Sequence, residues 1–266
     1  MDDSQADDQS LSASAIPKQR NAFAELMSPR SRPPPQQPKP VRNSNPHDPG
    51  NGLLAYIQEP EKYPFAVIRA TDHSVLIRDA YPKSLVHLLL LPRDPTKYNL
   101  HPHDAFADSA FLALVRSETE AAVRLAASEL SRLLSPVSRT SQARITAMNA
   151  PDPPAELPPG RDFAGELKVG IHAHPSMNQL HIHIISPDMS SDTMRHRKHY
   201  NSFNTGFFIP LADFPLHDYD PRKQVKYQND NLKQDFRCWR CGRMFGNKFK
   251  ELKEHLKGEL DEWKRE

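Results

Sequence analysis

Two histidines one residue apart, His181 and His183, lie in the run Gln179-Leu180-His181-Ile182-His183-Ile184-Ile185. Side chains along a strand alternate between faces, so Leu180, Ile182 and Ile184 would share one face and the two imidazoles the other. Imidazole titrates near neutral pH and can act as nucleophile or proton carrier. Immediately ahead, His172 and the turn Pro175-Ser176-Met177 add a third imidazole and a hydroxyl. Such a set suits the handling of phosphate. A second cluster is cysteine-based: Cys238 and Cys241 are the chain's two cysteines, with His255 and Glu259 downstream. Cys-x-x-Cys followed by a helix bearing His255 and, one turn later, Glu259 is a pattern for tetrahedral zinc. Gly258 can ligate nothing, Glu262 is a weaker fourth candidate, and a redox pair is the competing reading of the cysteines. Such a finger has little core of its own, so the metal would be structural, supplying much of its folding free energy.

These groups need a scaffold. Leu53 to Ile57 reads as a short helix before Pro60, and Phe65 to Ile68, Ser74 to Asp79 and Val86 to Pro92 read as strands of an antiparallel meander with one buried face. Asp79, Lys83 and His87 fall at strand ends and turns, where the apolar pattern does not explain them. From Asp104 to Leu134, Phe111, Val115, Ala122, Ala126, Leu130 and Leu133 recur at helical spacing, which predicts one long helix capped by Asp104. Residues 135–164 are rich in proline and read as an extended loop, and Lys168 to His172 as a further strand. The run from Arg195 to Phe208 mixes cations, aromatics and amides, as a contact for a phosphate backbone would.

The chain has 266 residues, 26 prolines and a net charge of +2. Residues 1–46 are polar and proline-rich, which predicts a disordered tail. Within it Asn21 to Ser28 places Phe23, Leu26 and Met27 on one side of a short helix, either a docking peptide or a fraying turn. The catalytic domain is expected over 47–209, a linker over 210–235 and the finger over 236–266. An acidic, serine-rich start and the lack of a long apolar run predict a soluble, intracellular protein with no membrane partner.

Leu180 to Ile185 resembles the signature of the histidine triad superfamily, whose members attack the α-phosphorus of nucleotides. Gln179 stands where the first histidine of that triad is usual. His172 with Pro175-Ser176-Met177, the Asp79-x-Tyr81-Pro82-Lys83-x-x-x-His87 run, the Lys198-His199-Tyr200-Asn201-Ser202-Phe203 run and the Cys-Trp-Arg-Cys-Gly start of the finger are similar to aprataxins, in particular fungal-type ones. The resemblance implies an α+β histidine triad-like antiparallel sheet with helices, plus a small C-terminal zinc finger. It implies a nuclear DNA-repair enzyme that removes AMP from adenylated DNA 5′ ends through a nucleotidyl-histidine. On this reading His181 is the nucleophile, His183 and Ser176 hold the phosphate oxygens, and His172 serves as acid or water-activating base. Asp79 then holds ribose, Lys83, His87 and Lys198 approach nucleic-acid phosphate, and Gln179 donates an amide hydrogen bond at the nucleotide. Cys238, Cys241, His255 and Glu259 hold zinc, and the tail is available to repair proteins. Two other readings stay open: a histidine triad hydrolase of dinucleotides, phosphoramidates or capped RNA, and a non-catalytic zinc-finger nucleic-acid binder.

Overall fold

The computed structural model describes residues 48–266; the expected tail and the Asn21 to Ser28 segment lie outside them. Six strands form one antiparallel sheet, β1 (Val67–Ala70), β2 (Ser74–Arg78), β3 (His87–Pro92), β4 (Lys168–His172), β5 (Ile182–Ile185) and β6 (Phe208–Pro210), in the order β1-β2-β3-β5-β4-β6. The late strand β5 therefore inserts between β3 and β4, pairing with both. Alternation sends Leu76, Leu88, Leu90, Ile182 and Ile184 to one face, where they meet Phe111, Val115, Ala122, Ala126 and Leu130 of a long helix. The other face carries Val75, Ile77, Leu89 and Leu91 at one end, closed by Leu53 and by Ile57 of α1 (Leu54–Gln58). The histidines occupy the rest of that face.

The helical stretch divides. α2 (Pro102–Ala105) is separate from α3 (Ser109–Leu134), and the cap is Asp108 rather than Asp104: its Oδ1 accepts from the N–H groups of Ala110 and Phe111 at 3.0 and 3.1 Å. Residues 135–164, expected as loop, contain α4 (Arg139–Met148), started by Ser138, whose Oγ accepts from Ser141 N at 3.2 Å. The prolines from Pro151 onward all follow this helix. The basic run folds as α5 (Arg197–Asn204).

Residues 210–235, expected as linker, also fold, carrying α6 (Val225–Asn231) with Gln228 and Asn231 buried. Beyond them β7 (Phe236–Arg237) and β8 (Met244–Gly246) form a hairpin against α7 (Phe249–Arg265). This finger shares its interior with the catalytic sheet. Phe236, Phe245, Leu252 and Leu256 pack with Ile185, Met194, Tyr200 and Phe203, while Trp263 enters the main core. Trp263 Nε1 donates to Glu166 Oε2 at 2.7 Å, and Arg161 pairs with the same carboxylate at 2.6 and 2.9 Å. No described helix is long and apolar enough to cross a membrane.

Candidate active site and zinc-ligand cluster

β5 and its neighbours build the site by register. Leu89 of β3 and Gly170 of β4 both lie opposite His183, and His172 ends β4 two residues beyond Gly170. Gly170 is required by close approach: a Cβ there would stand 2.4 Å from the carbonyl oxygen of Ile209 on β6. The turn ahead of β5 is tied down by Asn178 N to Gly50 O at 2.8 Å and Leu180 N to Tyr98 O at 2.6 Å.

Hydrogen bonds fix which ring nitrogen of each histidine carries its proton. A carbonyl can only accept, so the 2.8 Å contact of His181 Nδ1 with Gln179 O makes Nδ1 the N–H and leaves the lone pair on Nε2. A backbone N–H can only donate, so Lys83 N at 3.1 Å makes His87 Nδ1 an acceptor. His87 then carries its proton on Nε2 and donates to His183 Nδ1 at 3.0 Å, which leaves His183 with Nε2–H. That Nε2, like His172 Nε2, is buried and has no hydrogen-bond partner in the protein. Asp79 Oδ2 lies 3.4 Å from His87 Nδ1, a contact with a neutral ring rather than an ion pair.

Burial pushes His87 down to about 4, against the pull of Asp79. It holds His172 and His183 well below the usual imidazole range, with the neighbouring rings and Lys83 acting in the same direction. Burial also lowers Lys83, opposed by Asp79. Phe203 of α5 packs edge-on against His87 and His183, with ring centroids 5.4 and 5.1 Å away, and against His172 at 4.6 Å. His87, His172 and His183 are thus biased toward the neutral form by burial, and Phe203 walls them with an aromatic ring.

A cavity of about 710 Å³ opens on these groups. Its walls include His172, Ser176, His181, His183, Asp79, Lys83, His87 and Lys198, so eight of the nine residues expected at the nucleotide converge. Gln179 does not. It is buried at 1 % exposure, and its Nε2 donates to Asn51 Oδ1 at 2.9 Å and Asn99 Oδ1 at 3.2 Å. Its side chain braces the turn, and its backbone carbonyl orients His181. His87 lines the cavity, but its side chain is only 1 % exposed and its Nε2 donates to His183 Nδ1 at 3.0 Å, so it also orients His183. The sequence reading missed His174, His199 and Ser202 as cavity residues. Reading 197–204 as a helix would have found two of them, since Lys198 and Ser202 stand four apart and His199 lies beside them.

In the finger, Cys238, Cys241, His255 and Glu259 each present a ligand atom, all within 4.8 Å of one another. Cys241 Sγ lies 3.2 Å from His255 Nε2, which lies 3.1 Å from Glu259 Oε1. Two thiolates, an imidazole and a carboxylate so spaced fit one tetrahedral zinc ion. Gly242, at φ +75°, turns the chain back so that its N–H donates to Cys238 O at 3.1 Å. The other oxygen of Glu259 accepts from Arg240 Nη1 at 2.8 Å, and that guanidinium lowers the carboxyl's pKa. Glu262 instead pairs with Arg265. The cluster is also linked to the catalytic side: the Tyr200 hydroxyl of α5 donates to Arg237 O at 2.8 Å and accepts from Trp239 N at 3.0 Å, on either side of Cys238.

Comparison with known proteins follows the same division. The C2HE / C2H2 / C2HC zinc-binding finger family matches residues 204–262, and the scavenger mRNA decapping enzyme C-terminal binding family matches 107–199. An aprataxin-like protein of Schizosaccharomyces pombe is 34 % identical over 250 residues, 94 % of this chain and 97 % of the relative. The chain belongs to the aprataxin family. An aprataxin-like protein of Saccharomyces cerevisiae is 36 % identical over 214 residues, covering 79 % of this chain and 94 % of the relative. A crystal structure of an aprataxin ortholog in complex with DNA superimposes with a TM-score of 0.64 at 34 % identity, covering 80 % of this chain and 96 % of that one. The mixed α+β architecture with a C-terminal finger is therefore that of aprataxins, and the finger match begins within α5, in agreement with the shared interior.

Proposed function

We propose that this aprataxin hydrolyses adenylated 5′ ends of DNA through a nucleotidyl-histidine. The observation that carries the reading is the pair of fixed tautomers: His181 offers Nε2 as a lone pair, and His183 offers Nε2–H beside it. His181 Nε2 attacks the AMP phosphorus, the bond to the DNA 5′-phosphate breaks, and that phosphate leaves with the electron pair. The positive charge arising on the His181 ring is met by Gln179 O at its Nδ1–H. His183 Nε2–H, His172 and Ser176 line the space where charge builds on the non-bridging oxygens. Burial lowers the His172 pKa, which disfavours its acting as a proton donor at neutral pH; a phosphate leaving group needs none, and His172 is placed to contact the phosphate or the attacking water. Water then cleaves the N–P bond, releasing AMP and regenerating the imidazole.

Lys83 and Lys198 on the cavity wall, and the relative solved with DNA, support DNA as the polymer. Asp79 would hold the ribose. Zinc would supply fold rather than chemistry, since its four ligands lie in the finger and none borders the catalytic cavity. Nuclear residence is the matching proposal for a DNA substrate, and a fluorescent fusion tests it. The test of the reaction is to offer a 5′-adenylated nicked duplex, a dinucleoside polyphosphate and a capped RNA, and to measure released mononucleotide. Preference for the duplex is expected. The match to a decapping-enzyme family over 107–199 favours capped RNA as the second reading, which fast release from that substrate alone would establish.

A further inference from the structure

A second cavity, about 740 Å³, lies between the finger and the sheet. Phe203 forms a wall of both cavities, separating this cleft from the catalytic one. Three cations, Lys168, Arg237 and Arg240, border the cleft, and no aspartate or glutamate does. Arg240 is neutralised by Glu259 and Glu266. The other two are not: neither Lys168 nor Arg237 forms an ion pair among the described residues. Lys168 Nζ donates to two neutral acceptors, Asn204 Oδ1 at 2.7 Å and Phe203 O at 3.1 Å, and burial alone brings its pKa down to about 8. A half-buried ammonium without a counter-ion is costly unless an anion joins it. Phe208 and Trp239 complete the walls with aromatic surface on which a base can stack.

We propose that this cleft binds a phosphorylated nucleoside, with the phosphate between Lys168 and Arg237 and the base against Phe208 and Trp239. The volume suits a ligand of that size. The phosphate could come from a free nucleotide or from a nucleotide of a strand, since the chemistry is common to both. The site is independent of the catalytic reading, because none of its charged groups borders the catalytic cavity.

The chain's two tryptophans make the test selective. Trp239 borders the cleft, Trp263 is buried at 2 % exposure, and no tryptophan borders the catalytic cavity. Zinc-loaded full-length protein is titrated with AMP and, separately, with a single-stranded oligonucleotide bearing no adenylate, following tryptophan emission. A saturable change is expected with at least one ligand. AMP alone identifies a free-nucleotide site, the oligonucleotide alone identifies a strand site, and either supports the proposal. Lys168→Met and Arg237→Ala should each raise half-saturation about tenfold, the loss of one charge-assisted contact. His181→Ala should leave it in place. Arg237 is exposed, so its substitution keeps the test valid if Lys168→Met fails to fold. No response to either ligand, a half-saturation unmoved by Arg237→Ala, or loss of the response on His181→Ala overturns the proposal.

Discussion

Removing His87 separates two roles for it. The resemblance places it at a nucleic-acid phosphate, whereas the structure makes it the group that sets the tautomer and angle of His183. His87→Ala deletes the 3.0 Å bond to His183 Nδ1 and the acceptor for Lys83 N–H at 3.1 Å. A buried polar group left unsatisfied costs about 1–3 kcal/mol, and a ring freed to turn loses alignment on a similar scale. If that loss falls on the transition state, the rate drops about 5- to 150-fold. The expected drop appears in kcat and is equal for adenylated DNA and for a small adenylated compound, because His183 serves both. His87→Gln should recover part of it, since an amide can donate to His183 and accept from Lys83. The assay is single-turnover AMP release from both substrates, with circular dichroism to confirm the fold. A loss confined to the DNA substrate would restore the phosphate-contact role, and undiminished turnover by folded His87→Ala would refute its role in orienting His183.

Three further outcomes are expected. His181→Ala should abolish turnover while keeping the fold, and wild-type protein quenched in denaturant at alkaline pH, where a phosphoramidate survives, should carry AMP on His181 whereas the variant carries none; near-normal turnover removes His181 as nucleophile. Cys238→Ala and Glu259→Ala should each lower zinc content by metal analysis, the cysteine change more, and chelation should slow small substrates too because Tyr200 ties the Cys238 turn to α5 and Phe203; full zinc in Glu259→Ala would point to another fourth ligand. The folded-state pKa values of His87, His172 and His183 lie below the unfolded value near 6.5, so the unfolded chain binds more protons as pH falls. Stability should be unaffected by these groups above about pH 6.5 and decline below it, towards the value near 4 for His87, by at most roughly 1.4 kcal/mol per pH unit for each ring. Chemical denaturation across that range measures it, and a flat profile would contradict neutral burial.

Local pattern alone determined a good deal. The period-two alternation from Leu180 to Ile184 fixed which residues face the core and which face the cavity, because a strand leaves no other choice. The Cys-x-x-Cys spacing and the one-turn separation of His255 and Glu259 likewise fixed the four ligand candidates, since a knuckle and a helix are short-range geometries. Tertiary structure decided what pairs across the fold. Gln179 and His87 read as substrate contacts, yet each is drawn inside by a partner distant in sequence: Asn51 and Asn99 for one, His183 for the other. The four-residue spacing of Lys198 and Ser202 is compatible with a helix at 197–204, but which of its faces packs is decided only by the catalytic rings on one side and the finger on the other. Trp263 entering the main core shows the same limit: a finger's spacing specifies its metal, but not the sheet against which it completes its interior.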